Sequence, residues 1–296
     1  MLDPAHLAAL ALVHRRGSFD LAAAALGVTP SAVSQRLRAL EERVGTLLIR
    51  RGQPCTATPA GLRLIRHHDE VALMESRLAE DLPGLTAARR VLRIAVNADS
   101  LATWVLPALA RAPEALYDLV IDDQEVSAEW LRRGEVVAAV TGQPGPVQGC
   151  DTLALGALRY RATASPAFAA RWFPEGLTAA ALAMAPSLRF NDADRLQDRW
   201  AAQVTGPGGA PLRPGSLPAH RMASSQGFVE ACRLGLGWGL NPEALVAADL
   251  AAGRLVEVGE GRPLDVALYW QVPRLVAPAL AALTRAVRDE AAVWLI

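Results

Sequence analysis

Two sets of side chains in this 296-residue sequence have types and spacings suited to recognition. The first lies on the run Thr29-Pro30-Ser31-Ala-Val-Ser34-Gln35-Arg36-Leu-Arg38. At about 100° per residue, Ser31, Ser34, Gln35 and Arg38 share one helix face, and Val33, Leu37, Leu40 and Val44 share the other. Short hydroxyls, an amide and a guanidinium are groups that hydrogen-bond base edges and phosphates, whereas an ordinary exposed face mixes Glu with Lys. The pattern implies a helix presented to the DNA major groove. Taken alone, it leaves open an amphipathic surface helix with an incidental polar face. The second set is acidic and sits where strands end: Asp99 beside Asn97 and Ser100, then Asp122, Asp123 and Glu125, then Asp192, with Thr141 closing another strand. Backbone N–H groups at the start of the helix near Ser100 suit a carboxylate, and the acids suit a cation. Such a site would take a small molecule carrying both. Caps and surface charges are the bland alternative for these acids, and for Ser127 as a helix cap.

Helix signals frame the first set. Thr29 suits an N-cap, Pro30 the first helical position, and Gly45 a C-terminal stop. Upstream, Leu7–Arg15 reads as a helix with Leu7, Leu10, Ala11 and His14 on one side, Gly17-Ser18 as its break, and Asp20–Leu26 as a short Ala-rich helix. Helix, short helix, glycine turn and polar-faced helix is the order of a helix-turn-helix. Thr46–Arg50 then reads as a short strand and Arg51-Gly-Gln-Pro54 as a turn, a wing that places Arg50 and Arg51 for phosphate or minor-groove contact. A solvated turn is the alternative. Thr58-Pro59 repeats the cap chemistry and opens a helix to about Leu82, along which Leu64, His68, Val71, Glu75, Leu78 and Leu82 recur at i+3 and i+4. That stripe needs apolar surface to cover it. Pro83-Gly84 ends it, and 85–90 is the linker.

From Val91 onward, strands and helices alternate: strand 91–96, helix 101–111, strand 117–122, helix 128–133 and strand 136–140. A strand around 158–164 starts a second unit at Ser165-Pro166, and a strand at 267–271 leads into a last helix, 277–295. This is the rhythm of an α/β fold with a mainly parallel sheet. In such folds a ligand cleft lies where strand ends meet helix starts, which is where the acidic set falls.

Several of these stretches resemble the LysR-type transcriptional regulators: Gly17-Ser-Phe19, Ala22–Ala25, Val28–Arg36, Leu40-Glu41 and Thr58-Pro-Ala-Gly61. The resemblance implies a winged helix-turn-helix over 1–58 and a dimerising linker helix and hinge over 59–90. It implies an effector half of two subdomains, 91–160 with 267–296 and 161–266, similar to periplasmic solute-binding proteins and joined by crossovers near 160 and 266. It also implies a palindromic operator in double-stranded DNA, a homodimer or dimer of dimers, and contact with RNA polymerase. Thr29, Pro30, Ser31, Ser34, Gln35, Arg36, Arg38, Arg50 and Arg51 would then touch DNA. Asn-Ala-Asp-Ser100, Asp122-Asp-Gln124, Pro146-Val-Gln-Gly149 and Leu155–Tyr160 are similar to one branch, the ArgP/LysG regulators of basic amino-acid export. On that footing the effector is lysine or arginine, held by Asn97, Asp99, Ser100, Asp122, Asp123, Glu125, Thr141 and Asp192, with Asp99 the leading contact. A regulator of another small effector stays open. So does a solute-binding or enzymatic α/β protein with an appended helical domain.

Composition narrows the classes. The net charge is zero, yet residues 1–68 carry nine Arg against four Asp and Glu, so a basic head precedes an acidic body. Cys55, Cys150 and Cys232 are odd in number and far apart, which indicates neither a zinc site nor a disulfide framework. No metal and no cofactor is expected. The start of the chain lacks a basic region and a long apolar core, and no uncharged apolar run approaches the roughly 18 residues of a membrane span. A soluble cytoplasmic protein is the expectation. HExxH, GxSxG and Walker motifs are missing, so no enzyme is expected. Gly235-Leu-Gly-Trp-Gly239 lacks the six-residue dinucleotide fingerprint and suits close helix–strand packing instead.

Overall fold

The computed structural model describes residues 1–82, 90–122, 127–205, 215–259 and 261–296. Three helices form the head: α1 (Pro4–Arg16), α2 (Phe19–Leu26) and α3 (Pro30–Val44). Each begins with a side-chain cap, Asp3, Ser18 or Thr29, which accepts from the N–H of Ala5, Asp20 or Ala32. Each ends in a glycine with φ between +65° and +75°, a conformation that stops a helix cheaply only in the absence of a Cβ. Leu7, Leu10, Val13, Ala22, Val33, Leu37, Leu40, Leu48 and Ile49 bury together beneath them. Val44, expected on the buried face, is 39% exposed because it is the last residue of α3, beside the Gly45 stop.

The wing is shorter than expected. Only β1 (Ile49–Arg50) and β2 (Thr56–Ala57) pair, antiparallel, and Leu47 stays exposed. Its entry is fixed from α3: Glu41 Oε1 accepts from the N–H of Leu48 at 2.8 Å and of Ile49 at 3.3 Å. Next comes α4 (Pro59–Asp81), capped by Thr58, whose hydroxyl also donates to Leu47 O at 2.8 Å. A Cβ on Gly61 would stand 2.2 Å from Leu48 O, so glycine is what lets α4 lie against the wing. Ile65 on α4 joins the head core and Leu73 joins the core of the second half. Val71 is half-buried, while Leu78 and Leu82 are about half exposed.

The second half opens with β3 (Arg90–Asn97) and a helical run: α5 (Ala98–Ser100), a π-helical turn Leu101–Val105, and α6 (Leu106–Ala110). Pro107 has no N–H to give back to the preceding turn, and the helix widens there. The chain continues through β4 (Ala115–Asp122), α7 (Ser127–Arg133), β5 (Ala138–Thr141) and β6 (Cys150–Ala164). A second lobe follows: α8 (Pro166–Trp172), α9 (Ala179–Met184), β7 (Ser187–Arg189), α10 (Leu196–Thr205), β8 (Ala219–Arg221), α11 (Ser225–Arg233), β9 (Gly239–Pro242), α12 (Glu243–Ala251) and β10 (Val256–Glu257). Then β11 (Leu264–Pro273) returns to the first lobe, a 3-10 turn Ala277–Leu280 follows, and α13 (Ala281–Trp294) packs against α6.

The main sheet has the order β10-β6-β11-β5-β3-β4, with β9 also on β6. Within it β3 pairs parallel with β4 and β5, and in the second lobe β7 pairs parallel with β8. The sheet is mixed rather than mainly parallel. The cause is the pair β6 and β11, one strand leaving the first lobe and one returning, which must run in opposite directions. They pair from Leu264↔Tyr160 to Pro273↔Cys150, and Arg159 pins Asp265 opposite it with bonds of 2.8 and 2.9 Å. The crossings expected near 160 and 266 fall inside these two strands. Trp200 and Trp238, both fully buried, pack with ring centroids 5.2 Å apart. A Cβ on Gly237 would meet Leu188 and Pro186 O at 3.0 Å, so that glycine serves close packing. Among the described residues no helix is long and apolar enough to cross a membrane.

Candidate functional site

The first candidate surface is the outer face of α3. Thr29, Pro30, Ser31, Gln35 and Arg38 are exposed, and Ser34 and Arg36 are half-buried. The side chains of Ser31, Ser34, Gln35, Arg36 and Arg38 make no hydrogen bond or ion pair among the described residues, so their polar atoms face solvent. Arg50 is exposed on β1, while Arg51 stacks over the Phe19 ring with its guanidinium carbon 5.2 Å from the centroid. The wing is seated from below by His14, whose Nδ1 accepts from the N–H of Ala57 at 3.2 Å. Burial lowers the pKa of His14, opposed by Glu135 and reinforced by Arg93 and Arg15, which favours the neutral ring this bond requires. The arrangement is a polar helix face and a basic wing held rigidly on one small core.

The second candidate is a cleft between the two lobes. It begins where β3 ends at Asn97 and α5 begins, which puts Asp99 in the first helical turn. Asp99 Oδ2 accepts from the Tyr160 hydroxyl at 2.7 Å, and Oδ1 accepts from the Ser225 hydroxyl at 2.6 Å. Tyr160 lies on β6 and Ser225 opens α11 in the second lobe, so one carboxylate ties the lobes together. Beside it is a small cavity, part of it open to solvent, lined from both lobes. Its acids are Asp99 and Asp194 and its amides are Asn97, Gln197 and Asn241. Its apolar walls are Phe190, Leu196, Phe228 and Leu240, and no Arg or His lines it among the described residues. Asp194 is buried and accepts from the N–H of Phe190 and of Leu196, both at 2.9 Å. Carboxylates over an apolar trough suit a cation carried on an aliphatic stem.

The predicted cleft residues divide. Asn97 and Asp99 line the cavity. Ser100, on the same turn, is fully buried and does not line it. Thr141 is also fully buried and lies apart: its hydroxyl donates to Gln143 O and accepts from Gln271 Nε2, within a network that shapes the 141–147 loop. Asp192 is 85% exposed at its side chain and pairs with Arg221 at 2.7 Å, outside the cavity. The reason is local: Asn191 Oδ1 accepts from the N–H groups of Ala193 and Asp194, and that turn directs Asp194 inward instead. Asp122 stands opposite Asn97 in the β3–β4 register; its side chain, with Asp123 and Glu125, lies outside the described residues. Ser127 opens α7 and is buried.

Tyr160, Asp194, Gln197, Ser225 and Asn241 were not singled out from sequence. A signal existed for Ser225, since Ser224 Oγ accepts from Gly227 N and makes Ser224-Ser225-Gln-Gly227 a readable helix start. Gln197 and Asn241 carry no local signal. Among the described residues, no group of three His, Cys, Asp or Glu side chains is placed to hold a metal ion. Cys55, Cys150 and Cys232 are free and buried, and burial pushes the Cys232 thiol up to about 11.

Comparison with known proteins adds to this geometry. Residues 4–62 match the bacterial regulatory helix-turn-helix proteins of the lysR family, and residues 86–292 match the LysR substrate binding domain. The chain is 41% identical over 297 residues to the lysine export transcriptional regulatory protein LysG of Corynebacterium efficiens, covering 98% of each chain. Its structure is similar to that of ArgP from Mycobacterium tuberculosis, with a TM-score of 0.82 and 45% identity over 100% of this chain and 99% of that one. It is also similar to full-length LysG from Corynebacterium glutamicum with bound effector arginine, with a TM-score of 0.70 and 38% identity over 99% of both.

Proposed function

The chain belongs to the LysR family of bacterial regulatory proteins, and on that premise we propose that it is a one-component transcription regulator responding to lysine or arginine. In this reading α3 enters the major groove of a palindromic operator, with Ser31, Ser34, Gln35 and Arg38 towards the bases and phosphates and the wing arginines on the backbone. The effector occupies the cleft beside Asp99, and the regulated gene serves basic amino-acid export. The observation that carries the effector class is the cavity itself. It combines Asp99 and Asp194 with an apolar trough and no cationic side chain among its described lining. The arginine-bound relative, matched over 99% of both chains, supports the same class.

A palindrome calls for two copies. The stripe of Val71 and Leu78 on α4, with Leu82 at its C-cap, suits a second copy of that helix, giving a homodimer or a dimer of dimers. The regulator acts in the cytoplasm, where operator and RNA polymerase are found. The test is selection of purified protein against random DNA duplexes, with and without amino acids. An inverted repeat should be enriched, and its retention should change with arginine or lysine but not with glutamate. No enriched sequence would remove the DNA-binding claim. An enriched sequence indifferent to both amino acids would remove the effector claim.

A further inference from the structure

The cleft's ligand is read here as a cation, yet both carboxylates lining the cavity are already engaged. Asp99 is held by Tyr160 and Ser225, and Asp194 by the backbone N–H groups of Phe190 and Leu196. The second lobe adds two amides to the lining. Gln197, in the first turn of α10, is 1% exposed, and Asn241, on β9, is 0% exposed. Gln197 Oε1 and Asn241 Oδ1 are fully buried and accept no hydrogen bond among the described residues. The Asn241 amide has one sensible orientation: Nδ2 donates to Thr163 Oγ1 at 2.9 Å and lies 3.4 Å from Gly239 O, which would repel an oxygen in its place. Its Oδ1 is therefore the atom left without a partner, on a residue that lines the cavity. Buried acceptors in folded proteins nearly always have a donor, and a ligand rich in N–H groups would supply one to each.

We propose that Gln197 and Asn241 are the specificity-determining residues of this cleft, their carbonyl oxygens accepting N–H donors from the cationic end of the ligand's side chain. The inference rests on the basic amino-acid reading of the cavity. An ammonium brings three donors and a guanidinium five in a fixed fork, so either satisfies the two oxygens. An aliphatic or carboxylate end satisfies neither and leaves both out of water and unpaired. Asp99 and Asp194 then supply the negative potential that draws the cation in, and the two amides recognise its hydrogens. Both amides lie in the second lobe, facing Asn97 and Asp99 in the first. A cation bonded to them is therefore held by one lobe while it sits in the field of the other.

The test is titration calorimetry on the full-length protein with L-arginine, L-lysine and L-norleucine, which keeps a linear side chain without donors. Gln197→Met preserves size and removes the acceptor, and should weaken arginine and lysine by at least about tenfold while leaving norleucine unweakened. Gln197→Glu preserves the acceptor and should bind both cations at least as well as the wild type. Asn241 also holds Thr163 and Cys232 together, so the Gln197 pair decides. Unchanged cation affinity in Gln197→Met overturns the assignment and leaves the basic amino-acid reading standing. Equal weakening in Gln197→Met and Gln197→Glu assigns the side chain to packing and overturns it as well. A wild type that binds neither arginine nor lysine overturns both.

Discussion

The helix-turn-helix head and the lobed cleft treat their polar side chains in opposite ways. On α3, Ser31, Gln35 and Arg38 are exposed and unengaged, and the rigidity lies beneath them, in three capped helices over one core. In the cleft, Tyr160, Asp194 and Ser225 are buried and Asp99 is half-buried, and every one of the four is hydrogen-bonded. The ligands explain the contrast. DNA is a long polyanion whose binding is driven by counterion release, so its reader can leave its side chains in water until contact. A small molecule offers few contacts, so its site must hold each polar group in position beforehand and cannot leave a charge unsupported out of water.

If the two regions are separate devices joined by α4, breaking that helix's exposed stripe should have the largest effect and should affect them unequally. Val71→Asp combined with Leu78→Asp should give a monomer by light scattering and abolish measurable operator binding, with arginine affinity unchanged. A stable dimer of normal size would put the interface elsewhere. Next in size is Asp99→Asn, which keeps the shape and removes the charge. Calorimetry should show a loss of about 2–5 kcal/mol in arginine binding, while DNA affinity without ligand stays intact. A smaller effect belongs to the head: Ser34→Ala with Gln35→Ala should lose about 1–3 kcal/mol of discrimination per base contact in a competition gel shift. Arg38→Ala should instead weaken operator and random DNA alike, and unchanged specificity in the double variant would remove this face from the readout.

The smallest effect is one of pH. The folded-state pKa of His14 lies below its ordinary value because the ring is buried, so the folded chain resists a proton that the unfolded chain accepts. Its contribution to stability is complete above the ordinary histidine value of about 6.5, and it is lost as pH falls through the lowered one. His68 is shifted in the same direction, also by burial, so the whole effect does not belong to His14. His14→Asn keeps an acceptor near the Ala57 N–H and should flatten the dependence of melting temperature on pH between about 7 and 5. A profile identical to the wild type would detach His14 from wing stability.

The contrast also explains what the sequence could and could not tell. The head is written in local signals: Thr29-Pro30 and Gly45 bound α3, and its two faces separate over a few turns. Even the small error there, Val44, concerns the end of one helix. The cleft is assembled from distant segments. Asn97 and Asp99 were legible because a strand ended and a helix began beside them, but Tyr160 is 61 positions from Asp99 and Ser225 is 126. Asp192 is named from its strand-end position, which says nothing about which way a turn will aim a side chain; the Asn191 turn aims Asp194 inward and leaves Asp192 outside. The mixed sheet has the same origin, since the alternation of elements sets parallel pairing within a lobe but not the direction of a strand that returns from the other.

The central claim is that these two unlike regions communicate, a basic amino acid in the cleft altering how the head holds DNA. Linkage makes that claim symmetric: an effector that changes operator affinity must have its own affinity changed by the operator by the same factor. The most direct measurement is the Kd of arginine by calorimetry, for the free protein and for the protein saturated with its selected duplex. A difference of about 5- to 150-fold is predicted, in either direction. Equal arginine affinities in the two states would contradict the account, even if both ligands bind tightly.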